Sequence, residues 1–154
     1  MVKTKIAIAG VLGRMGKNLI ESAQLNDGVE IVGVFDKSPI AEYHLVSLKL
    51  KSDIAITGDD AFDRADVVID FTSPSALFMF TESAIAHKAA LVVGTTGLEQ
   101  KHFNLLQQTS KATKIFYAPN MSLGVNSFFQ VARDTAAKLK DYDIEIIESH
   151  HKFK

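Results

Sequence analysis

The chain has 154 residues, with 17 Lys plus Arg against 18 Asp plus Glu for a formal net charge of -1, and 47% hydrophobic residues, the make-up of an ordinary soluble globular protein. At this length one domain and the start of a second can be built, and a domain of about 150 residues buries roughly 70% of its unfolded surface, enough for a core without staples. The absence of cysteine excludes disulfides and Cys-ligated zinc, and the balanced charge argues against a general nucleic-acid binder.

Residues 1–5 run directly into IAIAG without the h-region and cleavage site of a signal peptide, and no stretch approaches the ~18 to 20 apolar residues that span a bilayer. A cytoplasmic protein without a membrane partner is expected. The first strand is predicted at 5–9, followed by Gly10, Gly13 and Gly16 and a helix over 14–25 with Met15, Leu19, Ile20 and Ala23 on one side. A second strand, 30–35, ends in Asp36-Lys37. Residues 38–53 are irregular and receive no assignment. Strands follow at 54–57 and 67–71, then a helix over 75–88 with Pro74 in its first turn, where a missing N–H costs nothing. A strand at 91–93, a helix over 98–110 and a strand at 114–117 complete the series.

Most of these strands are apolar throughout, as in strands covered on both faces, and their alternation with helices predicts an α/β fold with a parallel sheet. After Pro119 the character changes: a longer amphipathic helix over 125–139, a strand at 144–148, and the basic end His150-His151-Lys152-Phe153-Lys154. The chain therefore divides into 1–121 and 122–154, the second part being the start of a further domain.

The glycine triad has the order strand, turn, helix. In that setting Gly10 makes the tight turn, Gly13 admits a pyrophosphate to the backbone, Gly16 lets the helix approach the sheet, and the helix N-terminus offers N–H donors and partial positive charge. The pattern is G-x-x-G-x-x-G instead of the more usual G-x-G-x-x-G, and a purely structural turn is the alternative. Asp36 stands near the position where an acidic residue accepts from the ribose hydroxyls of NADH, while Lys37 would neutralise the 2'-phosphate of NADPH; a solvated charged turn is the plainer reading.

Three further strand ends carry small polar turns at 70–74, 94–97 and 118–121. In an open parallel sheet these line one crevice and suit a long, flat ligand. Each also reads as an ordinary turn, with helix caps available at Thr72, Ser73 or Thr96.

His44, His87 and His102 are read as structural. The terminal His150 and His151, with Lys152 and Lys154 beside them, would bind a dicarboxylate whose charge favours the protonated, acid-competent imidazole. A polar tail is the alternative. A metal site is not expected there, because adjacent residues on a strand point to opposite faces.

Taken in order, AGVLGRMG, VIDFT, VVGTTG, APN followed by SLGVN, and IEIIESHHKFK resemble the dihydrodipicolinate reductase family over residues 5–154. The resemblance implies a Rossmann-type, doubly wound, mostly parallel sheet, plus the first helix and strand of an incomplete mixed α/β substrate domain that in the family forms a homotetramer. It implies transfer of a hydride from NADH or NADPH to a cyclic unsaturated imine dicarboxylate, 4-hydroxy-tetrahydrodipicolinate, in the diaminopimelate route to lysine.

By motif match Gly10, Val11, Leu12, Gly13, Arg14 and Met15 would hold the pyrophosphate, Asp36 the ribose and Lys37 the 2'-phosphate. Gly94, Thr95 and Thr96, with Ala118, Pro119, Asn120 and Met121, would surround the nicotinamide. His150 matches the acid/base residue, Lys154 the proton donor and His151 a substrate contact. A cation that gives up a proton also quenches the negative charge that an arriving hydride leaves behind.

The family continues beyond the Lys matching Lys154 with a D-A-P-S-G-T-type loop that clamps a substrate carboxylate, then most of the second domain. The sequence is thus read as a chain that stops within that domain, binding dinucleotide without useful reductase activity. A non-catalytic dinucleotide- or CoA-binding module is the alternative from another class, and the terminal His and Lys cluster stands against it. An amino-acid dehydrogenase acting on aspartate shares the glycine start but not the pattern of IEIIESHHKFK.

Overall fold

A computed structural model describes residues 2–149. By compactness the chain forms two units, Met1–Pro119 and Asn120–Lys154. The first holds five strands, β1 (Thr4–Ala9), β2 (Val29–Phe35), β3 (Val67–Asp70), β4 (Ala90–Val93) and β5 (Ile115–Tyr117), and five helices, α1 (Arg14–Gln24), α2 (Glu42–Ser47), α3 (Gly58–Arg64), α4 (Leu77–Ala86) and α5 (Gln100–Thr109). The sheet order is β2-β1-β3-β4-β5, and every pairing is parallel. This is the Rossmann-like α/β arrangement.

Side chains alternate across a strand, and β1 shows what that does for packing. Ile6 and Ile8 face one cluster with Ile20 of α1 and Leu45 of α2. Ala7 and Ala9 face the other, with Phe62 of α3, Leu77 and Phe80 of α4 and Leu106 of α5. The alanine side is close-packed: a methyl placed on Gly33 of β2 would come within 2.7 Å of the Ala61 Cβ on α3. Phe62 fills the space this leaves, fully buried, with ring centroids 5.9 Å from Phe35 and 6.1 Å from Phe80.

The expected helices at 14–25, 75–88 and 98–110 form with ends shifted by no more than two residues. Pro74 begins a 3-10 turn, Pro74–Ala76, that leads into α4. The expected strand at 54–57 reduces to one bridge, Ala55 to Gly33, with Ala55 N–H donating to Val32 O at 3.1 Å and Val34 N–H to Ala55 O at 2.8 Å. It goes no further because Thr57 already caps α3, its hydroxyl accepting from Asp60 N at 3.3 Å. The unassigned stretch contains α2.

In the second unit α6 (Leu123–Lys138) begins two residues before the expected helix. Ser122 Oγ caps it by accepting from Val125 N at 3.4 Å, and the Asn126 amide donates to Asn120 O and Ser122 O at 3.0 and 2.9 Å. The strand expected at 144–148 does not form. These residues have no regular structure, since a strand is defined by its partner and no ladder among the described residues includes them. No helix among the described residues is long and apolar enough to cross a membrane.

Removing the Phe62 ring opens a cavity between α3 and the sheet. Phe62→Ala is expected to cost about 3–5 kcal/mol, read as a lower urea midpoint at unchanged m-value. A loss below about 1 kcal/mol would contradict this account of the core.

Candidate functional site

The parallel sheet puts all five strand C-termini on one edge, where ligands of open α/β sheets lie. At the end of β1, Gly10 takes φ +71, a left-handed conformation that strongly favours glycine. Its N–H donates to Phe35 O at 2.8 Å, pinning the turn to the end of β2. Gly13 is the N-cap of α1, and its N–H donates to Gly10 O at 3.0 Å. No side chain caps α1 and its first turn has no acidic residue, so the helix start offers donors and partial positive charge to an anion. A methyl on Gly16 would overlap Gly10 O and Val11 Cα. The close helix-to-strand contact expected of the third glycine is therefore present.

Asp36 lies just past β2, half-buried. One of its oxygens accepts from Leu12 N at 3.0 Å, the other from Ser38 N at 3.2 Å. It ties the glycine loop to the turn after β2 and uses two of a carboxylate's four or so acceptor positions. Lys37 beside it is exposed. These turns bound a cleft of about 520 Å³, lined by Gly10, Leu12, Asp36 and Thr72, with Phe35, Met79 and Phe80 as its apolar part. A polar rim with an apolar wall suits a heteroaromatic group joined to a sugar and an anion.

A larger cleft, about 1230 Å³, lies at the opposite edge against Lys5, Asp66, Ala90 and Lys114, where strands begin. Charged residues such as Lys5, Asp63, Arg64 and Lys114 make up nearly half of its lining, and it lacks the glycine turn and helix start. The smaller cleft is the better ligand site.

The turn after β3 is organised from within. Asp70 is fully buried. Its Oδ1 accepts from Thr72 N at 2.8 Å and Thr72 Oγ1 at 2.6 Å, and its Oδ2 from Thr95 Oγ1 at 3.1 Å. Burial pushes its carboxyl above the ordinary 3.8, against the three hydrogen bonds that pull it down. Neither Thr72 nor Ser73 caps a helix through its side chain; the Thr72 hydroxyl serves Asp70 instead.

Gly94, after β4, donates its N–H to Asp70 O at 2.8 Å, and the Phe71 ring occupies the place a Gly94 side chain would need. The Thr95 hydroxyl is turned inward to Asp70 and Thr96 is exposed; neither they, Gly94 nor residues 118–121 line the cleft of about 520 Å³. Ala118 N–H donates to Val93 O at 3.2 Å, which sets Ala118 and Pro119 beside the same turn. Asn120 and Met121 fall in the second unit, where Asn120 Oδ1 accepts from Ser122 N at 2.8 Å.

Val11 is buried in the core, so only its backbone faces the loop. His150, His151 and Lys154 lie outside the described residues. His44 and His102 start helices, each accepting through Nδ1 the backbone N–H of Ala41 or Glu99 at 3.0 and 2.8 Å. His87 lies between Asp59 at 3.2 Å and Asp63 at 3.4 Å. The bridging role of Asp70 was not foreseen; an acidic residue closing an otherwise apolar central strand, VVID, was its signal.

Residues 4–121 match the family model described as dihydrodipicolinate reductase, N-terminus. The 4-hydroxy-tetrahydrodipicolinate reductase of Colwellia psychrerythraea is 37% identical over 99% of this chain and 59% of its own length. That of a Sulfurovum species is 36% identical over 98% of this chain and 58% of its own. The chain thus spans somewhat over half the length of these curated relatives. Among solved structures, a dipicolinate-bound dihydrodipicolinate reductase from Paenisporosarcina sp. TG-14 superposes with a TM-score of 0.68 at 23% identity, over 88% of this chain and 54% of that one, which establishes the shared fold.

The raised Asp70 pKa has a measurable sign. A group whose pKa is raised on folding stabilises most below its unfolded value and loses that contribution as pH climbs through the folded one. Asp70→Asn, which cannot ionise, should therefore gain in Tm relative to wild type as pH rises from below 3.8 toward neutrality. A difference that stays constant across that range would contradict the assignment.

Proposed function

The chain belongs to the dihydrodipicolinate reductase family, and from that premise we propose that it is the dinucleotide-binding part of a 4-hydroxy-tetrahydrodipicolinate reductase. The observation that carries this reading is the cradle at the carboxyl edge. A left-handed Gly10, an uncapped α1 start at Gly13 and the nearby acceptor Asp36 surround one cleft within the span of the family match.

The residues present fit a dinucleotide. Gly13 has no side chain to block the helix start, so the amides of Arg14 and Met15 would hold the pyrophosphate, with Gly10, Val11, Leu12 and Gly13 forming the turn beneath. Asp36 has acceptor capacity left for ribose hydroxyls, and Lys37 is exposed beside it for a 2'-phosphate, which supports use of NADH and NADPH both. Gly94, Thr95 and Thr96, with Ala118, Pro119, Asn120 and Met121, would border the nicotinamide. When bound, the reduced nicotinamide supplies the hydride for reduction of the cyclic imine dicarboxylate.

His150 would serve as acid/base residue, Lys154 as proton donor and His151 as a contact to a substrate carboxylate. Their cationic forms favour a dianionic substrate and offset the negative charge that reduction leaves on it. Residues 122–154 would belong to the substrate domain, and the whole protein would act as a cytoplasmic homotetramer in lysine biosynthesis by the diaminopimelate route. The relatives' name, 4-hydroxy-tetrahydrodipicolinate reductase, supports the reaction in this reading; the residue roles, compartment and tetramer follow from the family resemblance alone.

Calorimetric titration of the 154-residue chain with NADH and NADPH tests the proposal. Binding of both is expected. Asp36→Ala should weaken NADH roughly tenfold or more, the loss of a hydrogen bond to a charged group being about 1.5–3 kcal/mol, and Lys37→Ala should weaken NADPH selectively. Equal NADH affinity in wild type and Asp36→Ala would remove Asp36 from the ribose role.

A further inference from the structure

We propose that Asp70 is a positioning residue of the dinucleotide site, its buried carboxylate holding the turns after β1 and β4 in fixed register through Thr72 and Thr95. The inference rests on the dinucleotide reading above and adds to it a residue with no ligand contact of its own.

β3 lies between β1 and β4, so its last residue is placed between the turns that follow both neighbours. Asp70 is that residue and is fully buried. Among the described residues its side-chain donors are neutral: Thr72 N, Thr72 Oγ1 and Thr95 Oγ1. A buried carboxylate without a cationic partner is a costly choice, and a turn by itself needs nothing of the kind. What a carboxylate supplies, and an amide does not, is an acceptor at both oxygens. Here one oxygen serves the turn after β3 and the other the turn after β4.

The effect passes on from each arm. The Thr72 methyl lies 2.9 Å from where a Gly10 side chain would begin, so it rests on the glycine turn. On the other side the Asp70 carbonyl takes the Gly94 N–H at 2.8 Å while its side chain takes the hydroxyl of the next residue. The two turns that would border opposite ends of the cofactor are thus braced against one buried group before ligand arrives, the preorganisation that lowers the cost of ordering a site on binding.

The test compares Asp70→Asn, Thr95→Val, Thr95→Ser and Thr72→Val in the 154-residue chain, reading NADH affinity by calorimetry and, without ligand, amide exchange. Asp70→Asn and Thr95→Val should each raise the NADH Kd about tenfold. The Gly94 amide should exchange about tenfold faster in both, and the Gly10 amide likewise in Thr72→Val, while the Ile20 amide of α1 keeps its wild-type rate. Thr95→Ser, which retains the hydroxyl, should stay within about twofold of wild type on both readouts.

If Asp70→Asn does not fold, the Thr95 pair decides alone. Thr95→Val with wild-type affinity and exchange overturns the proposal, as does Thr95→Ser behaving like Thr95→Val. Wild-type protein that does not bind NADH overturns the dinucleotide reading and this proposal with it, a result distinct from wild-type binding that the variants leave unchanged.

Discussion

Parallel strands cannot be joined by tight turns, so each must return across a face of the sheet before the next begins. In Met1–Pro119 that requirement fixes most of the architecture. It covers both faces, which is why β1 carries isoleucines toward α1 and alanines toward α3. It also sends every strand C-terminus to one edge, so that α1 begins beside the turn after β1 and the turns after β2, β3 and β4 stand next to it. The candidate cleft lies among the turns after β1, β2 and β3, and the glycines of the first turn let helix and strand meet at backbone distance.

A gathering of turns is not yet a site, because turns at a sheet edge are the least restrained part of such a fold. Two carboxylates restrain them here. Asp36 joins the glycine loop to the turn after β2 through Leu12 N, half-buried and with acceptor capacity remaining. Asp70 joins the turns after β3 and β4 from inside, with both oxygens occupied. On the proposed reading Asp36 is left for ligand contact and Asp70 for support, and burial is what separates the two. The Asp70 carboxyl is pushed up by desolvation, a cost that an edge built only for folding would not need to carry.

Where the sequence was legible, the signal was strong and local. Runs such as KIAIA and VVID left little choice but strands, and the order strand, glycine turn, amphipathic helix marked the site by itself. The missed elements are short: α2 has six residues and α3 seven, too few for a helical period to emerge from the apolar pattern. Yet Thr57 followed by Asp59 and Asp60 was a readable helix start. Residues 54–57 looked like a strand because they are apolar and β-branched, and that same cap ended them after one bridge. Residues 144–148 failed as a strand for a different reason, since pairing depends on a neighbour that local sequence does not encode. Side-chain direction was also out of reach: nothing in GTTG tells that the Thr95 hydroxyl turns inward to Asp70.

The division of labour between Asp36 and Asp70 has meaning only if a dinucleotide lies across the carboxyl edge of this sheet and not in the larger cleft at its amino edge. Amide chemical-shift mapping of NADH on the isotopically labelled chain decides between the two edges. Perturbations gathered at residues 10–15, 36–38, 72–73 and 94–96 are expected. Perturbations clustered instead at Lys88, Lys111 and Lys114, around the opposite cleft, would contradict the assignment.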